Sequence, residues 1–278
     1  MEIILRWSWT RETILTDMVG MIRRFLYQTY AGHLRAQIAR GLLPEHIAVI
    51  LDGNRRFAES SGSVSVSAGY RQGAHKVYEL LDWCQDLGID QVTLWVLSTD
   101  NLKRPPEQVE GLCHVIEEEI VEIAQRQAES QTPRQIRFFG QLDALTPTLR
   151  ESLSTAREMT EGYDQYYLNI GIAYGGREEI VDAVRDLLVK YEQEGSGLKE
   201  AAQRVNVGEI GSHLYLKGIP EPDLIIRTSG EVRLSGFLLW QSVHSEFYFC
   251  DAYWPAFRNI DFLRAIRSFQ QRKRRYGR

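Results

Sequence analysis

The sequence predicts a single α/β domain, residues 44–278, built on a largely parallel sheet with helices on both faces and preceded by a helical extension over residues 1–43. Three observations predict it. From Pro44 onward, short apolar runs alternate with longer segments of helical period, and continuous apolar runs are the mark of strands buried on both faces. The balance of 44% hydrophobic and 25% charged residues is that of a globular chain. A chain of 278 residues can also bury about 75% of its unfolded surface, so its core needs no disulfide or metal staple.

Each element has its own grounds. In the extension, Met18, Ile22, Phe25, Leu26, Leu34 and Ile38 recur at near-helical spacing, with Arg23, Arg24, Arg35 and Arg40 among them and no acid. Such a basic amphipathic helix suits peripheral contact with an anionic membrane through residues 18–40, or docking on its own protein or a partner; docking is the plainer expectation. Strands are expected at Ile47–Leu51, Val92–Leu97, Ile136–Phe139, Tyr167–Ala173, Leu224–Ile226 and Phe247–Phe249. Most run into turn chemistry: Asp-Gly-Asn after the first, Gly140 after the third, Gly175-Gly176 after the fourth and Ser229-Gly230 after the fifth. Helical periodicity covers Gly73–Leu87, Glu107–Glu129, Thr146–Thr160, Glu178–Glu192 and Ala252–Arg275.

Composition excludes several classes of function. A net charge of −4 argues against a general nucleic-acid binder, although residues 264–278 carry seven Lys or Arg and no acid. Three cysteines without a C-x-x-C pair give neither a disulfide framework nor a zinc site, and point to a reducing cytoplasm. No apolar run is long enough to span a bilayer, and charges break Met1–Gly20 too often for a secretory signal.

In open α/β sheets ligands bind beyond the carboxyl ends of the strands. The loop after the first strand supplies Asp52, Gly53, Asn54, Arg55 and Arg56. The second supplies Ser98, Asp100, Asn101 and Arg104; the fifth supplies Arg227, Thr228, Ser229, Gly230, Glu231, Arg233 and Ser235. Glycines allow close backbone approach, and guanidinium forks match phosphate oxygens in paired hydrogen bonds, so a phosphate or diphosphate ligand is expected. There is no G-x-x-x-x-G-K-[ST] and no G-x-G-x-x-G after a strand, which removes P-loop hydrolases and dinucleotide cofactors. An aspartyl phosphatase would want a second Asp where Asn54 stands. Asp52 and Glu246 are the acids that could serve Mg²⁺, which takes one or two carboxylates together with phosphate oxygens; spacing alone does not show that they meet.

The motif HIAVILDGNRRFA (His46–Ala58) resembles that of the cis-prenyltransferases, the undecaprenyl diphosphate synthase family. LSTDNLKRP (Leu97–Pro105), YGGREEIVDAV (Tyr174–Val184), IIRTSGEVRLSGFLLWQSVHSEFYF (Ile225–Phe249), WPAF (Trp254–Phe257) and RRYG (Arg274–Gly277) continue the resemblance in order, most nearly to the short-chain Z-farnesyl diphosphate synthase branch. It implies a six-stranded, mostly parallel sheet, a homodimer, Mg²⁺, and condensation of isopentenyl diphosphate with an allylic prenyl diphosphate to form a Z double bond. By resemblance, Asp52 assists Mg²⁺ and the leaving group, and Glu246 is the second metal ligand. Gly53, Asn54, Arg55 and Arg56 cradle the allylic diphosphate, and Phe57 packs near the prenyl chain. Tyr70, Ser98, Thr99, Asp100, Leu102 and Arg104 line the same site, and Asn101 is assigned to proton removal. Arg227, Arg233, Leu234 and Ser235 form the isopentenyl diphosphate site, and Gly277 belongs to a tail that reaches the neighbouring subunit.

Four residues depart from the family pattern. Tyr70 stands where His is usual, Val66 where Arg is frequent, Leu102 where Trp is frequent, and Val232 where a polar residue is common. Tyr70 and Val66 motivate an alternative on the same fold, a terpene synthase-like enzyme that cyclises or irregularly couples allylic diphosphates. A non-catalytic partner subunit would typically lack the intact Asp-Gly-Asn-Arg cradle. Leu112, Val115, Ile116, Glu119, Ile120 and Ile123 form one helical stripe, a core face by default and, by resemblance, also a tunnel wall. Val96, where long-chain members often have Ala, would shorten that tunnel.

Overall fold

Six strands form one sheet in the order β3-β4-β2-β1-β5-β6, and every neighbouring pair is parallel. The computed structural model describes residues 11–62 and 66–276. The strands, numbered along the chain, are β1 His46–Ile50, β2 Gln91–Trp95, β3 Arg134–Phe139, β4 Tyr166–Gly171, β5 Leu224–Arg227 and β6 Glu246–Phe249. The helices are α1 Arg11–Ile38, α2 Asn54–Ser60, α3 Val66–Asp86, α4 Pro106–Glu129, α5 Pro147–Thr160, α6 Gly176–Gln193, α7 Leu198–Arg204, α8 Val207–Gly211 and α9 Asn259–Tyr276. All six expected strands are present, each shifted by no more than two residues at a boundary.

Local chemistry explains most boundaries. Every residue of β1 is buried, as a central parallel strand requires. Pro106 opens α4, where its missing N–H is not needed, and Thr146 caps α5 by accepting from the Leu149 N–H at 3.3 Å. The last helix begins at Asn259 rather than Ala252, because Pro255 holds Trp254–Ala256 in a separate single turn. Three short helices, α2, α7 and α8, have too few residues for a periodic signal and were not expected.

Within the extension, α1 is a helix with two apolar faces. Leu34 and Ile38 belong to the main core, with Tyr27, Tyr30 and Ala31 packed against it and α9 alongside. Arg264 of α9 donates to the Tyr30 hydroxyl, and the Gln270 amide donates to the Ile38 carbonyl at 2.9 Å. At 100° per residue, Met18, Met21, Ile22, Phe25 and Leu26 point away from that docked side, and all are exposed.

Beneath the site, His46 is 1% exposed. Its Nδ1–H donates to the Pro220 carbonyl at 2.7 Å, and its Nε2 accepts from Thr93 at 2.7 Å. Asn169 donates to the same Thr93 oxygen. Burial lowers the imidazole pKa to about 4, so the ring is neutral in the folded protein. The unfolded chain then binds the extra proton between about pH 6.5 and 4, and stability falls as pH drops through that window by up to about 3 kcal/mol. His46→Gln is expected to flatten the dependence of Tm on pH between 7 and 5; an unchanged slope would contradict this.

Candidate active site

The carboxyl ends of β1, β2 and β5 open into one cavity of about 550 Å³. Its mouth is polar and its interior apolar. Asp52, Gly53, Asn54, Arg55 and Arg56 come from the loop and helix after β1. Ser98, Asn101 and Arg104 follow β2, and Arg227, Arg233 and Ser235 lie at and beyond the end of β5. Tyr70 joins them from α3. The interior is lined by Ala74, Val77, Leu94, Val96 and Ile170 together with the α4 stripe of Leu112, Val115, Ile116, Glu119, Ile120 and Ile123.

Asp52 organises the mouth. Its Oδ2 accepts from Arg227 at 2.8 Å and its Oδ1 from Arg56 at 3.2 Å. Burial pushes the Asp52 carboxyl up, but the Arg227 hydrogen bond and charge, with help from Ser229 and Arg56, outweigh it and hold the group below the usual carboxylate range. The loop itself is pinned from β5: the Thr228 hydroxyl donates to the Asp52 carbonyl at 2.7 Å. Gly53 has φ 103°, and a Cβ there would lie 2.7 Å from the Tyr253 ring, so only glycine fits the turn that starts α2.

The arginines are held in place before any ligand arrives. Arg227, buried to 5% exposure, donates to the Ser235 hydroxyl at 2.8 Å and to the Arg233 carbonyl. Arg56 reaches Ser229 at 2.8 Å and Glu231 at 3.3 Å, and lies over the Tyr253 ring. Arg104 donates to the Tyr70 hydroxyl at 3.3 Å, so the tyrosine in the position of a usual histidine contacts the polar mouth. Asn101 and Ser98 are locked reciprocally: the Ser98 N–H donates to Asn101 Oδ1, and the Asn101 N–H donates to Ser98 Oγ. With Oδ1 engaged, the Asn101 amide is fixed in orientation.

Several expected site residues lie elsewhere. Phe57, Thr99, Leu102 and Leu234 do not line the cavity, and Leu234 packs in a second apolar cluster instead. Asp100 is exposed and paired with Lys103 at 2.8 Å. Gly277 lies outside the described residues, as does the side chain of Val66. Glu246 requires a correction. It opens β6, in register with Leu224, while Arg227 is three positions further along the parallel ladder. That puts Glu246 at the amino edge of the sheet, about 10 Å from the carboxyl edge where Asp52 sits, and it pairs with Arg272 at 3.1 Å. One chain does not bring Asp52 and Glu246 together.

Other residues emerge only in three dimensions. Glu231, part of the fifth loop but without an assigned role, shares Arg56 with Asp52. Trp254 lines the cavity and anchors α3 through its Nε1–H to the Gly73 carbonyl at 2.7 Å. No group of three or more His, Cys, Asp or Glu able to hold a metal occurs among the described residues. Among the described residues Asp52 is the one carboxylate lining the mouth, a donor set that fits a hard cation bound mainly through substrate oxygens and water.

Residues 50–277 match the family described as "Putative undecaprenyl diphosphate synthase". The chain is 48% identical over 257 residues to an isoprenyl transferase of Thermus thermophilus, covering 92% of this chain and 97% of that one. It is 48% identical over 259 residues to a (2Z,6E)-farnesyl diphosphate synthase of Thermobifida fusca, covering 93% and 100%. Among solved structures, lavandulyl diphosphate synthase from Lavandula x intermedia in complex with dimethylallyl diphosphate superposes with a TM-score of 0.76 at 31% identity, covering 82% of this chain and 95% of that one.

Proposed function

The chain belongs to the cis-prenyltransferase family, and on that premise we propose that it condenses isopentenyl diphosphate with a short allylic diphosphate, leaving a Z double bond in a short prenyl diphosphate product. The observation that carries this reading is the two-part cavity. Among the described residues, five arginines line it against a single carboxylate at the polar mouth, and the space behind is walled by aliphatic side chains, with Glu119 among them. A molecule with a dianionic or trianionic head and a hydrocarbon tail fits both halves.

The residues divide the work. Arg55, Arg56 and Arg104 hold the allylic diphosphate at the mouth, and Tyr70 steadies Arg104. Arg227, Arg233 and Ser235 hold the isopentenyl diphosphate with its double bond toward the allylic carbon. As the allylic C–O bond breaks, negative charge gathers on the departing diphosphate, where prearranged guanidiniums stabilise it. Asp52 sets the orientation of Arg56 and Arg227. Asn101, fixed by Ser98, would orient the proton that leaves the new carbon chain toward an oxygen of the departing diphosphate, which takes it up. The aliphatic interior keeps water from the electron-deficient carbon. Asp52 would hold Mg²⁺ with substrate oxygens, and that cation would supply further charge neutralisation at the leaving group.

A homodimer belongs to the same reading, as does a cytoplasmic location, which three free, buried cysteines support. We also infer that the outward face of α1 rests on an anionic lipid surface. Met18, Met21, Ile22, Phe25 and Leu26 form an exposed apolar arc bordered by Arg23 and Arg24, and no acid lies between Met18 and Arg40. No helix among the described residues is long and apolar enough to cross a membrane, so the contact is peripheral. Vesicles containing anionic lipid are expected to pellet the protein, and Phe25→Glu/Leu26→Glu to release it. Equal pelleting of both would contradict the contact.

Incorporation of label from isopentenyl diphosphate into a product that becomes hydrocarbon-soluble on hydrolysis tests the catalytic reading. The terpene synthase-like alternative predicts instead that the allylic diphosphate is consumed alone. Tyr70 bonded to Arg104 favours the condensation, because the substituted position still serves the diphosphate end.

A further inference from the structure

One polar side chain interrupts the apolar wall behind the mouth. Of the six α4 residues that line the cavity, five are aliphatic and the sixth is Glu119, which is 7% exposed. We infer that Glu119 sets product length, acting as a polar stop in the tunnel that receives the growing prenyl chain. This rests on the prenyltransferase reading above.

The position follows from helix geometry. α4 starts at Pro106, two residues beyond Arg104 at the mouth, and rises 1.5 Å per residue, so Glu119 lies about 20 Å along it. Leu112, Val115 and Ile116 come before it, and Ile123 lies one turn deeper. A chain growing from the mouth therefore meets aliphatic wall, then a carboxyl group, then aliphatic wall again.

The energetics change sign at that point. Each additional methylene or methyl group buried against Leu112, Val115 and Ile116 is favourable. Growth past Glu119 must instead take the remaining water from a carboxylate that no guanidinium among the described residues contacts directly. Its partners come from α3: the Tyr78 hydroxyl donates at 3.4 Å, and His75 Nε2 stands 3.7 Å away. Neither contact replaces full hydration of an anion. Burial raises the Glu119 carboxyl above its ordinary range and Glu122 adds to the effect, while His75 and Tyr78 offset only part of it. A leucine at this position would make the stripe continuous to Ile123.

The experiment compares products of the parent protein with those of Glu119→Leu and Glu119→Gln, using labelled isopentenyl diphosphate, Mg²⁺ and geranyl diphosphate. Products are hydrolysed and sized, and Tm is measured for each protein. The expected result is a shift of the main product by at least one five-carbon unit in E119L, with E119Q making a smaller proportion of the longer product. A purely structural role would move Tm and leave product length alone. Unchanged length in the variants that incorporate label overturns the inference; if E119L does not fold, an unchanged distribution in the isosteric E119Q does so. Failure of the parent itself to incorporate label would overturn the reading of the reaction instead, so the two failures are separable.

Discussion

Asp52→Ala is expected to lower kcat/KM for prenyl transfer by about 10³-fold or more. The carboxylate accepts from Arg56 and from the almost fully buried Arg227, so its removal takes from each guanidinium one of the contacts that aim it. It also takes away the carboxylate at the mouth that could share a cation with the diphosphates. Asp52→Asn keeps the shape and loses the charge, and should retain little of the activity. The held-down carboxyl carries a sign as well. Because its folded pKa lies below the ordinary range, the stabilisation it contributes is present above the unfolded pKa and is lost as pH falls through the folded one. D52N should therefore lose part of the parent's acid-side decline in Tm. Near-parental kcat/KM in folded D52A would refute the assignment.

Arg227 carries the second large expectation. Arg227→Lys should cost about 10²-fold in kcat/KM, mostly through KM for isopentenyl diphosphate. The guanidinium serves Asp52, Ser235 and the Arg233 carbonyl at once, and an ammonium point charge cannot span those directions. Arg227→Ala should also destabilise the fold by about 3 kcal/mol, because it leaves the Asp52 carboxylate without its strongest partner in a partly buried site. Steady-state kinetics and thermal melts separate the two effects. An R227K enzyme with unaltered KM for isopentenyl diphosphate would contradict the subsite.

Much of this architecture is legible in the sequence, for identifiable reasons. Runs such as Ile47–Ile50 are buried on both faces, so apolar continuity reveals them without alternation. The loops after β1, β2 and β5 combine glycine, arginine and serine, and the rule that ligands gather at carboxyl ends brings them to one cavity. The limits are equally physical. Helix α2 spans seven residues, less than a periodic pattern needs to declare itself. Glu246 belongs to a matching motif, but only strand direction and register reveal that it sits at the sheet's other edge. Asp100 reads as a site acid beside Asn101, yet its side chain turns outward to Lys103. The stripe through Glu119 has the spacing of a core face, and whether such a face meets protein or a tunnel depends on what packs opposite. α1 has two opposed apolar faces whose contributions cancel in any whole-helix pattern, and only packing against α9 tells the docked side from the exposed one.

The most direct test is incubation of the protein with labelled isopentenyl diphosphate, Mg²⁺ and dimethylallyl, geranyl or farnesyl diphosphate in turn, with product length and double-bond geometry determined after hydrolysis. The expected result is a discrete short product containing label and a new Z double bond, absent with D52A. Consumption of the allylic diphosphate with no label in the product would contradict it.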